Sequence, residues 1–126
     1  MLGGDGFVTL ADPRDNQILY TEYQFGNIFK SWNGGEDWGR IRDGLEIPRS
    51  NWETPFMFEP ENPDFLYIGT HKVHKTVNGG ELWYPISPDL TNGPGRNLVY
   101  GTITSIDVSP LNTDVIIAGT DDGNVW

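Results

Sequence analysis

The chain has 126 residues, among them 16 glycines, 9 prolines and no cysteine, and a formal net charge of −10. That length suits one domain with a modest core, the charge argues against nucleic acid as a partner, and without cysteine there is no disulfide framework, thiolate nucleophile or cysteine-based zinc site. No apolar run reaches the ~18 residues that span a bilayer, so no membrane partner is expected, and the opening Met-Leu-Gly-Gly-Asp-Gly has neither the basic nor the apolar region of a signal peptide.

Taken in order, the chain repeats a unit of about 45–50 residues, and a period of that size marks stacked supersecondary units. Each unit opens with a short apolar strand that ends in a proline turn, at 6–13, 54–60 and 103–110. Two positions after Pro13, Pro60 and Pro110 come the turn residues Asp15, Asn62 and Asn112. Second strands are predicted at 17–20, 64–68 and 114–118, and third strands at 27–30, 71–75 and 123–126.

After the third strand the same eight-residue box occurs twice. Ser31-Trp32-Asn33-Gly34-Gly35-Glu36-Asp37-Trp38 is matched by Thr76-Val77-Asn78-Gly79-Gly80-Glu81-Leu82-Trp83. The hydroxyl of Ser31 or Thr76 and the amide of Asn33 or Asn78 can bond backbone groups across a tight turn. Gly35 and Gly80, with the glycines before them, allow positive φ. Trp38 and Trp83 start the fourth strands, and burying an indole between sheets contributes roughly 4–6 kcal/mol gross.

Four short antiparallel strands repeated at this period read as a propeller blade. The expected fold is therefore all-β, one partial β-propeller domain of about 2.75 blades, spanning 5–45, 53–90 and an incomplete 101–126. Blade faces need neighbours, so further blades or self-association are expected to complete a ring. The connections near 43–53 and 87–100 are rich in Pro, Gly and Asn and carry Leu45, Ile47 and Trp52, then Leu90, Leu98 and Tyr100. Such insertions collect on one face, often the binding face.

The boxes and strands resemble the Asp-box, or BNR, repeat of sialidases, sortilin-type receptors, xyloglucan-cleaving glucanases and photosystem assembly propellers. The resemblance covers nearly the whole chain and is nearest to secreted bacterial glycosyl-hydrolase-like propellers, through Leu66-Tyr67-Ile68-Gly69-Thr70, the second box and Ile86-Ser87-Pro88-Asp89-Leu90-Thr91. It implies a secreted or periplasmic location and a carbohydrate or protein ligand, with no cofactor. The Asp that names the box is Asn33 and Asn78 here, and the usual Thr before the Trp is Asp37 and Leu82.

Gly3-Gly4-Asp5-Gly6-Phe7-Val8 resembles the start of the xyloglucan-cleaving propellers, whose catalytic Asp follows the second strand. That comparison puts Gln24 at the Asp position, and an amide cannot serve as a general acid or base. In the third unit Asp121 falls at the matching place, although Thr120-Asp121-Asp122-Gly123 is also a good hairpin turn on its own terms. The resemblance thus leaves three readings: a binding or scaffold segment without complete catalytic machinery, part of a glycoside hydrolase acting on a polysaccharide with Asp121 as its best acidic candidate, or a sortilin-like or assembly-factor propeller that binds a protein. Glu22, Tyr23, Gln24, Trp52 and His71 are the candidate ligand-binding residues.

Arg40, Arg42 and Arg49 are close in sequence, but Ile47-Pro48-Arg49 reverses the sialidase motif and a solvated blade edge accounts for them. His71 and His74, three apart on a predicted strand, should point to opposite faces, and no metal site is expected.

Overall fold

A computed structural model describes residues 2–94 and 100–126 of the chain. Its first sheet has the order β1 (Gly6–Asp12), β2 (Asp15–Tyr23), β3 (Asn27–Ser31), β4 (Gly39–Arg40). The second repeats that order with β5 (Phe56–Phe58), β6 (Leu66–Gly69), β7 (Val73–Thr76) and β8 (Tyr84–Pro85). The third pairs β9 (Ile103–Val108) with β10 (Ile116–Thr120), and a bridge from Gly119 to Val125 begins a third strand there. Every pairing is antiparallel, and no described residue is helical. The all-β partial propeller expected from the repeat is the fold observed.

Several strand limits differ from expectation. The fourth strands begin one residue after each box Trp, at Gly39 and Tyr84. β2 runs on through Glu22 and Tyr23, so Tyr23 is a strand residue that stacks on Phe29 of β3 at 5.5 Å. His71 lies in the turn before β7 rather than on the strand. Leu98 lies outside the described residues.

The two boxes fold alike. Ser31 Oγ accepts the Gly35 N–H at 2.8 Å and donates to Asn33 Oδ1 at 3.0 Å, which in turn accepts the Asp37 N–H at 2.9 Å. In the second box Thr76 Oγ1 accepts the Gly80 N–H at 3.1 Å, and Asn78 Oδ1 takes the Thr76 hydroxyl at 2.8 Å and the Leu82 N–H at 3.1 Å. The paired glycines sit at φ 68° and 92° in one box and 65° and 91° in the other, a region where a side chain is strained. Asn thus supplies the acceptor that the turn needs without a charge.

Two apolar cores lie between the sheets. Tyr20, Ile28 and Ile41 of the first blade meet Phe56, Leu66, Ile68 and Trp83 of the second. Tyr67, Val73 and Leu90 meet Ile103, Val108 and Ala118 of the third. The box tryptophans part company here. Trp83 is 1% exposed, and its Nε1 donates to the Ile41 carbonyl of the preceding blade at 2.9 Å. Trp38 is half-buried, and its Nε1 donates to Gly35 of its own turn. The inter-blade packing expected of both is thus observed for Trp83 within the described residues.

Antiparallel order sends alternate turns to opposite ends. The boxes sit beside the turns joining first and second strands, as the bonds from Gly34 N–H to Gln17 and Gly79 N–H to Asp64 record. The turns joining second and third strands share the other end with the long blade connections, where the Phe25 N–H reaches the Trp52 carbonyl at 3.1 Å. That second end holds the candidate residues.

Candidate functional site

The turn between β2 and β3 is held in an uncommon shape. Phe25 has φ 61°, a left-handed conformation that non-glycine residues rarely adopt. Its N–H is tied to Trp52, and its ring meets the Trp52 edge at 5.2 Å and 86°. Trp52 also meets Phe7 at 6.3 Å, so it backs the turn rather than facing the groove beside it. Strain of this kind persists only where neighbours enforce it, and it tends to gather at functional sites.

Beside this turn lies an open groove of about 380 Å³, lined by Phe25, Asn27, Arg42, Arg49, Tyr100 and the 47–50 connection. That volume lies within the roughly 300–1,000 Å³ typical of ligand sites. Phe25 and Tyr100 are 41% and 42% exposed. The wall carries arginines and, among the described residues, no carboxylate. Arg40 Nη2 and Arg42 Nη1 both donate to Asn27 Oδ1, at 2.8 and 2.6 Å. Arg42 lies beyond the end of β4, yet the two guanidiniums reach one atom, so a solvated edge describes only Arg40. Arg49 pairs with Asp89 and donates to the Gly101 carbonyl at 3.0 Å, which pins one connection to the next.

The candidate residues named from sequence share this end of the molecule but not one surface. Gln24 is half-buried, and its Nε2 donates to Asp5 at 2.9 Å. Tyr23 is committed to Phe29. Glu22 is 2% exposed: its Oε1 accepts the Thr54 N–H at 3.2 Å, and its Oε2 has no partner. Burial pushes this carboxyl up to about 8, opposed by the backbone bond from Thr54. Glu22 therefore holds its proton at neutral pH. It sits opposite Ile28 as Gly69 sits opposite Val73, filling a place that the second blade leaves to glycine.

His71 is 6% exposed, and burial, followed by repulsion from Arg49, lowers its pKa. Its Nδ1 lies 3.3 Å from Thr70 Oγ1, and His74 Nδ1 lies 3.5 Å from the same oxygen. The two rings therefore converge on one hydroxyl, contrary to the opposite faces expected, because His71 precedes the strand. The Glu46 N–H donates to His74 Nε2 at 3.2 Å, and burial pushes the His74 ring down to about 4, so it is neutral near pH 7. Among the described residues no cluster of three or more His, Asp or Glu side chains could hold a metal.

Asp121 serves as an acceptor within its own neighbourhood. Its Oδ2 takes the Tyr100 N–H at 2.6 Å, and its Oδ1 takes the Thr102 N–H at 2.8 Å. Its backbone N–H donates to Thr102 at 3.0 Å. The carboxylate thereby fixes the entry to β9 and the position of Tyr100.

No family model matches the chain, and no curated protein matches its sequence. Among solved structures it is similar to an ancestral GH74 enzyme, with a TM-score of 0.63 and 24% identity over 95% of this chain. The chain spans 14% of that enzyme's length. At this identity the likeness is one of fold, that of β-propeller blades.

Proposed function

We propose that the chain is a binding segment of an extracellular or periplasmic β-propeller, and that the groove bounded by Phe25 and Tyr100 takes a carbohydrate without cleaving it. The observation that carries this reading is a groove walled by half-exposed aromatic rings and arginines with no carboxylate on its described lining. Flat apolar rings suit the C–H faces of sugars, whereas glycoside hydrolysis needs two carboxyl groups roughly 5–10 Å apart. Further blades, or further copies of the chain, cover the outer sheet faces, where Ile117 and Val125 are exposed. Binding to a panel of immobilised glycans tests the reading. Retention that falls at least about tenfold in Phe25→Ala is expected, and no retention on any glycan overturns it.

The alternative, part of a glycoside hydrolase, draws support from the GH74 fold likeness and from Asp121 at the matching place. Sugar release from a glucan panel that disappears in Asp121→Asn would favour it.

A further inference from the structure

Most of the described cations already have a partner. Arg14, Lys72 and Lys75 each have an acidic one, Arg49 has Asp89, and Lys30 donates to the Gly79 carbonyl with its ammonium over the Tyr20 and Trp32 rings. Arg42 and Arg40 share instead one neutral amide oxygen, that of Asn27, and among the described residues neither makes an ion pair. Asn27 is itself braced, its Nδ2 donating to the Gln24 carbonyl at 2.6 Å. Loss of hydration, followed by repulsion from Arg40, lowers the pKa of Arg42. A half-buried cation facing a like charge gains most from an incoming anion, and in a chain of net charge −10 such a place is local. The planar fork of a guanidinium matches a carboxylate with two parallel bonds. Phe25 and Tyr100 present apolar rings beside it in the same groove.

We infer that this groove is a subsite for an acidic sugar, a hexuronic acid residue whose carboxylate pairs with Arg42 while its ring lies against Phe25 and Tyr100. The inference rests on the carbohydrate reading above and narrows it from sugars in general to carboxylated ones. Asn27 is a positioning residue: its amide oxygen sets both guanidiniums, and an amide rather than a carboxylate leaves their charge available.

Calorimetric titration of the full chain with an oligogalacturonate, a neutral cello-oligosaccharide of equal length and an acidic peptide tests this. The oligogalacturonate is expected to bind at least about tenfold tighter than the neutral sugar, with an affinity that falls as salt rises. Arg42→Lys, which keeps charge but loses the fork, should reduce that preference about tenfold. Asn27→Asp, nearly the same shape, places an internal carboxylate between the guanidiniums and should abolish the preference while neutral-sugar binding, which reports an intact fold, persists. Arg14→Gln, at the opposite end, should leave the preference unchanged. Equal affinity for acidic and neutral sugars overturns the uronate subsite and leaves the carbohydrate reading standing. Binding of neither sugar overturns both. Tighter binding of the acidic peptide overturns the subsite in favour of a protein ligand.

Discussion

Replacing Glu22 by glutamine separates the effect of a buried acid from that of its shape. In the folded chain the carboxyl titrates near 8, against 4.5 when free. Between those values the folded chain keeps a proton that the unfolded chain has lost. Stability therefore falls as pH rises from about 4.5 to about 8 and is level above that window. At about 1.4 kcal/mol per pH unit, the whole fall is roughly 4–5 kcal/mol. The glutamine amide does not titrate, so the variant loses this slope. It also buries an N–H2 group where Oε2 already lacks a partner, which costs about 1–3 kcal/mol at every pH. Urea unfolding followed by tryptophan fluorescence at pH 5, 7 and 9 reads the difference. The variant should be the weaker protein at pH 5 and the stronger at pH 9. Parallel profiles for the two proteins would refute the reasoning.

Other substitutions probe other parts of the structure. Trp83→Ala should destabilise the chain by about 3–5 kcal/mol and Trp38→Ala by markedly less, as chemical denaturation would show. Asn78→Ala removes the acceptor for Thr76 and Leu82 and should lower stability by about 1–2 kcal/mol, whereas Asn78→Asp should be tolerated because the acceptor remains. His74 is held neutral, its folded pKa near 4 lying below the free value of 6.5. Stability should thus drop by about 3 kcal/mol as pH falls from about 6.5 to about 4. A His74→Gln variant should show that acid limb flattened in thermal melts. Asp121→Asn should loosen the Tyr100 connection, seen as faster amide exchange at Thr102.

The blades were legible because a repeat states its own spacing. The two boxes located the hairpins, and the tryptophans located the fourth strands to within one residue. Strand ends were less readable. The hairpin from Leu19 to Ser31 is two residues longer than its counterpart from Leu66 to Thr76, because the Tyr23 and Asn27 pair adds a rung to the ladder, and no periodicity marks where Tyr23 stops being strand or where His71 starts. The Arg42 and Asn27 contact joins positions 15 apart on different segments, so sequence proximity grouped Arg40, Arg42 and Arg49 without showing that Arg42 and Arg49 line the groove and Arg40 does not. The burial of Glu22 does have a signal in the repeat. It aligns with Gly69 and Gly119, and a Cβ at Gly69 would come within 2.6 Å of Ile103. A carboxyl side chain at a place that the other two blades give to glycine has to be accommodated inside.

The bond from the Trp83 indole to the Ile41 carbonyl gives the array a direction. Each of the two units with a box carries an indole there and, three residues on, a carbonyl that a following unit can use: Ile41, which Trp83 does use, and Ile86 occupy equivalent places, their N–H groups bonded to Ile28 and Val73. A stretch of chain that encodes both halves of its own joint can be copied in tandem without inventing a new interface. An array of such units can then lengthen by duplication, while the loops at the opposite end are free to diverge.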